Sequence, residues 1–358
     1  MLHRPLLVSL VRLVLVTLLA VASGTLECGG TLPTAKEKRG DMLYHRMCAV
    51  CHGPTGQGYA ADQAPSLTRP DFLAAAEDSF LRTAILEGRG GTTMSAWSSF
   101  RGGPLTLDDA VALVDYLRSW SDRPQRALDN RPAAGDAARG DALYVRECAG
   151  CHGQHGVDGP FVGIGGFDFL RMATDGFMRQ AIREGRPGTL MPAFADRLGD
   201  GGIDDVLTYL RSLQKTATAP HRPPAKLPPL PLGPVPLNPH GPEPEGFAAT
   251  PQTTRVDVVK AQLDRGARMA LLDARASSDY IGEHIAGAVS VPFYDPSPYL
   301  AQLPKDAWLV AYCSCPHAES GQLAQKLQQA GFTKVTVLDE GLRVWKSKGY
   351  GTNSGFEP

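Results

Sequence analysis

The chain lacks the marks of several broad classes. Its 36 Lys and Arg stand against 37 Asp and Glu, a net charge of −1, so it has no basic footprint for nucleic acid. Seven cysteines in 358 residues are too few for a disulfide scaffold. Long hydrophobic runs are absent outside the first two dozen residues. Even there the uninterrupted apolar run, Leu13 to Ala22, is ten residues long, short of the ~20 needed to span a bilayer. Arg12 breaks the longer run from Leu6, and a central arginine is costly in a membrane.

What that end does have is the layout of a secretory signal peptide over residues 1–24. His3 and Arg4 precede the apolar run, and the small residues Ala20, Ala22, Ser23 and Gly24 follow it, so cleavage is expected after Ala22 or Gly24 and the mature chain is expected to be periplasmic. Cys28-Gly29-Gly30 looks a little like the start of a lipoprotein, although Glu27 stands where a small residue is usual. Membrane association through Cys28 or through the N-terminal segment itself is the alternative to a freely exported chain. The total length suits two to four domains.

The rest of the chain is organised around Cys48-Ala49-Val50-Cys51-His52, which returns one hundred residues later as Cys148-Ala149-Gly150-Cys151-His152. C-x-x-C-H is the attachment site of a c-type haem. Two thiols about one helical turn apart each add to a porphyrin vinyl group, and the adjacent histidine reaches the iron from the same side. A zinc site would want a second Cys or His pair nearby, and a thioredoxin-like pair a strand and helix around it. Two covalent haem c groups are therefore expected, on Cys48 and Cys51 and on Cys148 and Cys151, with His52 and His152 as iron ligands. Such haem is attached outside the bacterial cytoplasmic membrane, which agrees with export.

The two motifs are the centres of a longer repeat. Arg39-Gly40-Asp41-x-Leu43-Tyr44 returns as Arg139-Gly140-Asp141-x-Leu143-Tyr144, Glu87-Gly88-Arg89 with Met94 returns as Glu184-Gly185-Arg186 with Met191, and Tyr116-Leu117-Arg118-Ser119 as Tyr209-Leu210-Arg211-Ser212. Val111, Val114 and Leu117, and Val206, Leu207 and Leu210, have the spacing of closing helices. The second iron ligand follows by elimination. Met42 and Met47 approach on the proximal side, whereas Met94 lies 42 residues beyond His52 in a Gly-rich loop and can cross to the far face. Of Met172, Met178 and Met191, only Met191 occupies the repeated place; the other two suit core packing. His45 and His155 sit too close to the proximal motif. This pattern resembles class I cytochrome c over residues 35–122 and 135–214, and Pro192 after Met191 fits that family. The resemblance implies two small all-α haem domains. Methionine–histidine ligation raises the potential and fills both axial positions, which favours electron transfer over oxygen chemistry.

Residues 216–251 read as a linker. Twelve prolines lie between Pro220 and Pro251, a density that no helix or central strand survives. Extended chain of this kind reaches about 100 Å at ~3.1 Å per residue, as a spacer or as a strap.

Beyond it, strand and helix signals alternate: Met269 to Asp273, Trp308 to Tyr312, a helix from Ser320 to Ala330 stopped by Gly331, and Val335 to Leu338. They predict a small α/β domain with a mainly parallel sheet. Leu271-Leu272-Asp273-Ala274-Arg275, Tyr280 through Pro292, Val310-Ala311-Tyr312-Cys313 and Asp339-Glu340-Gly341-x-x-x-Trp345 together resemble a rhodanese domain over residues 253–350. The resemblance implies Cys313 as the catalytic thiol, a persulfide carrier at the end of a strand, with Asp273 and Arg275 orienting sheet and loop. The loop Cys313-Ser314-Cys315-Pro316-His317-Ala318-Glu319-Ser320 departs from the family: it is one residue longer and lacks the usual glycine and arginine. Pro316 offers no N–H, and Glu319 puts negative charge where an anion would be held.

Two functions follow. One is an exported dihaem electron carrier that couples sulfane-sulfur or thiol chemistry at Cys313 to respiratory electron transfer, with thiosulfate or persulfide sulfurtransferase activity. Its partners are a soluble cytochrome or a terminal oxidase, and small sulfur compounds. In the other, the haem domains do the work and the third domain is a non-catalytic docking module, or uses Cys313 and Cys315 for thiol redox or copper, with His317.

Overall fold

A computed structural model describes residues 34–61, 64–90, 92–216, 235, 237–314 and 317–358. The expected signal peptide, Cys28, most of the proline-rich segment up to 236, Cys315 and Pro316 lie outside the described residues.

In the first repeat, α1 (Ala35–Leu43) runs through a π-turn (Tyr44–Cys48) into α2 (Ala49–His52), followed by α3 (Pro70–Ala75), α4 (Asp78–Glu87) and the closing helix α5 (Leu107–Arg118). The second repeat has the same order: α6 (Ala137–Glu147), α7 (Ala149–His152), α8 (Phe167–Met172), α9 (Asp175–Glu184) and α10 (Ala195–Thr216). The repeated Arg-Gly-Asp marks the crossing of first and closing helices. A Cβ on Gly40 would strike the Ala112 carbonyl, and one on Gly140 the Asp205 carbonyl, so only glycine admits the backbones to this separation. Beside it Arg39 binds Asp109 at 2.6 Å and Arg139 binds Asp205 at 2.9 Å. The repeated tyrosines fix the turn after the C-x-x-C-H motif: Tyr44 Oη donates to the Gly53 carbonyl at 2.6 Å and Tyr144 Oη to that of Gly153 at 3.0 Å. Arg118 donates to the Leu73 and Ala76 carbonyls and to Asp78; Arg211 does the same to Leu170, Ala173 and Asp175. Each guanidinium thereby satisfies carbonyls that end a short helix.

The repeats meet reciprocally. Phe80 stacks on Phe177 with centroids 4.9 Å apart, flanked by Phe72 against Phe177 and Phe80 against Phe169 at 6.3 and 6.5 Å. Phe72 and Phe169 hold the same place in the two repeats, as do Phe80 and Phe177. Arg89 reaches across to the Gly163 carbonyl at 2.9 Å, and Arg186 reaches back to Asp71 at 3.7 Å.

The third domain contains β1 (Thr253–Thr254), α11 (Val256–Asp264), β2 (Met269–Asp273), α12 (Ser277–Gly282), β3 (His284–Ile285), β4 (Ala288–Ser290), β5 (Trp308–Tyr312), α13 (Ala318–Gln329), β6 (Val335–Leu338), α14 (Gly341–Ser347) and β7 (Thr352–Asn353). Five strands form a parallel sheet in the order β1-β6-β5-β2-β4. Its central strands β2 and β6 are buried along their whole length, as expected when both faces of a parallel sheet are covered. The end of the proline-rich segment runs along this domain. Leu237 pairs with Met269, Phe247 packs on Trp308 at 5.5 Å, and Thr250 N–H donates to the Val335 carbonyl at 2.8 Å.

The described residues from 35 onward belong to one compact unit. The third domain sits on the first repeat. Arg46 donates to the Tyr294 carbonyl at 3.0 Å and pairs with Asp295 at 3.1 Å, Trp97 packs on Tyr294 at 5.6 Å, and α13 packs on α2. Trp97, in the loop after Met94, is buried with Phe293 and Tyr294 packed against it.

Candidate haem and thiol sites

Each C-x-x-C-H motif lies at the turn from the first helix into a short second one, which sets its two thiols about one turn apart. Among the described residues none of the four cysteines is in a disulfide. Burial pushes the Cys48 thiol up to about 12 and that of Cys148 to about 11. His52 is 8% exposed, and its Nδ1 lies 2.8 Å from the Pro65 carbonyl; His152 Nδ1 lies 2.8 Å from that of Val162. A carbonyl only accepts, so Nδ1 carries the proton and Nε2 keeps its lone pair for a metal, the usual outer-shell arrangement. Burial lowers the proton affinity of both imidazoles, which holds them neutral. The different residues at 65 and 162 show that the backbone carbonyl matters here, not the side chain.

The methionine loops are built alike. Gly88 and Gly185 begin them at φ +65° and +67°. Arg89 N–H donates to the Met94 carbonyl and Arg186 N–H to that of Met191, both at 2.9 Å. Thr92 Oγ1 donates to the Arg89 carbonyl at 2.7 Å and accepts from Met94 N–H at 3.2 Å; Thr189 repeats this with Arg186 at 2.7 Å and Met191 at 3.1 Å. The threonine two residues before each methionine was the available signal for this clamp. The other candidates are otherwise engaged. Met47, Met172 and Met178 are buried in the core and Met42 is exposed. His45 pairs with Asp41 at 3.3 Å, and His155 Nδ1 lies 3.1 Å from Tyr209 Oη. Arg89 Nε is buried with no hydrogen-bond partner among the described residues, an orphaned donor that suits an acidic group of a bound cofactor. Donors, lone pairs and loops therefore fit haem c in both repeats.

Cys313 follows β5 and is fully buried, its Sγ 3.3 Å from Ser320 Oγ at the start of α13. Arg275 is locked: it binds Asp273 at 2.6 Å, the Glu283 carbonyl at 2.6 Å and Ser314 Oγ at 3.2 Å. Tyr312 Oη also donates to Asp273 at 2.8 Å. Both residues of the Asp273–Arg275 pair thus hold sheet and loop together. Glu319 is buried, and its carboxyl is raised well above the usual carboxylate range, first by burial and then by Cys313 and Asp279 nearby, with Arg275 opposing. Burial thus works against the negative charge that the sequence places in this loop. His317 Nε2 lies 2.8 Å from Asp339.

Residues 35–117 and 135–210 match the family described as cytochrome c oxidase, cbb3-type, subunit III, and residues 255–348 match the rhodanese-like domain. The FixP subunit of the cbb3-type cytochrome c oxidase of Bradyrhizobium diazoefficiens is 30% identical over 183 residues, which cover 49% of this chain and 60% of that protein. The CcoP subunit from Azospirillum sp. is 29% identical over 192 residues, covering 49% and 61%. The chain thus spans about three fifths of the length of these curated relatives. Among solved structures, a rhodanese-like domain from Anabaena sp. is 30% identical, covering 28% of this chain and 78% of that one with a TM-score of 0.27.

Proposed function

From the premise that this chain is two cytochrome c domains with two haem c groups, joined to a rhodanese-like domain, we propose that it is an exported electron-transfer protein that passes on electrons from thiol or sulfane-sulfur oxidation at Cys313. Cys48 and Cys51 anchor one haem and Cys148 and Cys151 the other. His52 with Met94, and His152 with Met191, would hold the two irons. The observation that carries this reading is the repeated geometry: both histidines present Nε2, and both methionines are clamped by the same threonine hydrogen bonds. Held by a histidine and a methionine, such a group would supply electron transfer at a raised potential.

Bound haem c supplies one one-electron acceptor per repeat. Oxidation of hydrosulfide at the thiol matches two such acceptors: Cys–SH + HS− gives Cys–S–S− with two protons and two electrons released. One S–S bond forms and two S–H bonds break. Burial favours the protonated form of Glu319, so water takes both released protons. Arg275 is committed to Asp273, so a small singly charged sulfur species suits the site better than thiosulfate. The partner that removes the electrons is a soluble cytochrome or a terminal oxidase. Among the described residues no helix is long and apolar enough to cross a membrane; Cys28 or the N-terminal segment is the alternative route to the membrane.

A second reading rests on the complete burial of Cys313 and the wide seat of its domain on the first repeat: the domain is a docking module without chemistry. Anaerobic addition of hydrosulfide, polysulfide or thiosulfate to the oxidised protein separates the two. Rapid haem reduction that is lost in Cys313→Ala supports sulfur chemistry, and reduction unchanged in that variant supports docking alone.

A further inference from the structure

The third domain is not placed evenly with respect to the two repeats. In the first, the residues after the methionine lie beneath it: Ser95 Oγ donates to Asp279 Oδ2 at 2.5 Å, and Ser278 Oγ donates to the Ala96 carbonyl at 2.7 Å. The equivalent residues of the second repeat, Pro192 and Ala193, are exposed. The same side of the third domain carries the thiol. Glu319 and Ser320, beside Cys313, open α13, and α13 packs on α2, the helix of Cys51 and His52. Asp279 belongs to both neighbourhoods. It accepts from Ser95, next to Met94, and it is close enough to Glu319 to act on its carboxyl.

We propose that the first repeat alone exchanges electrons directly with the Cys313 site, and that Asp279 is the positioning residue that joins the Met94 loop to that site. The inference rests on the reading of Cys313 as a redox thiol. The reaction is the one given above, in which hydrosulfide and the Cys313 thiol lose two electrons to form a persulfide. Both electrons enter at the first repeat, one after the other, and the first passes on to the second repeat before the other arrives. The reciprocal Phe80–Phe177 contact is the seam it crosses.

The test is a redox titration of the full-length dihaem protein, without any sulfur compound, followed by haem absorption. Met94→His and Met191→His assign the two midpoint potentials, since histidine in place of methionine lowers the potential of its own haem. Asp279→Asn is expected to shift the midpoint of the first repeat and leave the second in place. Ser95→Ala removes the same hydrogen bond from the other side and is expected to give a shift at the same repeat. A shift confined to the second repeat, equal shifts in both, or none in either overturns the positioning role. The electron route is tested by rapid mixing with hydrosulfide. Met94→His is expected to abolish fast reduction of both haems, whereas Met191→His leaves fast reduction of the first repeat intact. The reverse pattern overturns the route and spares the sulfur reading; hydrosulfide that reduces neither haem of the unaltered protein overturns both, while the titration still decides the role of Asp279.

Discussion

Phe80 of the first repeat stacks on Phe177 of the second at 4.9 Å, and each occupies in its own repeat the place the other holds in its own. One ring thus contributes to two cores at once. Removing it opens a cavity on both sides of the seam. Phe80→Ala is expected to lower stability by about 3 kcal/mol, and a double-mutant cycle with Phe177→Ala to show a coupling of about 1 kcal/mol. Denaturant unfolding of the haem-loaded protein measures both.

Gly40 and Gly140 set the closest approach of first and closing helices. Gly40→Ala or Gly140→Ala must push apart helices that Arg39–Asp109 and Arg139–Asp205 hold together. A loss of about 2 kcal/mol is expected, against a slight gain at an unhindered helical glycine. Thermal unfolding of each variant distinguishes these outcomes.

Much of this was legible in the sequence, because the repeat writes each device twice. Arg-Gly-Asp-x-Leu-Tyr, the C-x-x-C-H motif and the Thr-x-Met loop all return, and each return has the same hydrogen bonds. The third fold was legible as well, since Asp273 ends β2 and Cys313 directly follows the adjacent β5, in their expected order. The seating of that domain was not. Ser95 and Asp279 are 184 residues apart, and nothing local in either segment marks the contact. The raised proton affinity of Glu319 was not legible either, because it comes from burial, which a sequence does not state.

Thr92 and Thr189 hold the methionine backbones from within their loops. Thr92→Val and Thr189→Val keep the shape and remove the hydroxyl. Each is expected to loosen its own methionine, costing about 1 kcal/mol of local stability. Proton NMR of the two methionine methyl groups, followed on warming, reads which loop opens first.

Glu319 carries a raised carboxyl pKa in the folded chain. The folded state therefore binds this proton more tightly than the unfolded one, and the associated stability is complete below about 4.5 and lost as pH rises through the higher folded value. Glu319→Gln keeps the buried neutral form at every pH. Its stability relative to the unaltered protein is expected to rise with pH above about 4.5, measured as the difference in urea midpoint. A difference that stays flat contradicts a buried, proton-holding carboxyl.

The central claim is that one sulfur oxidised at Cys313 delivers its electron pair to the haems. Anaerobic titration of the oxidised protein with hydrosulfide, with haem reduction counted optically and the Cys313 peptide examined by mass spectrometry, tests it most directly. The account predicts that both haems are reduced for each sulfur atom added to Cys313, and that Cys313→Ala shows neither change. Haem reduction without a persulfide on Cys313, or reduction equally fast in Cys313→Ala, would contradict it.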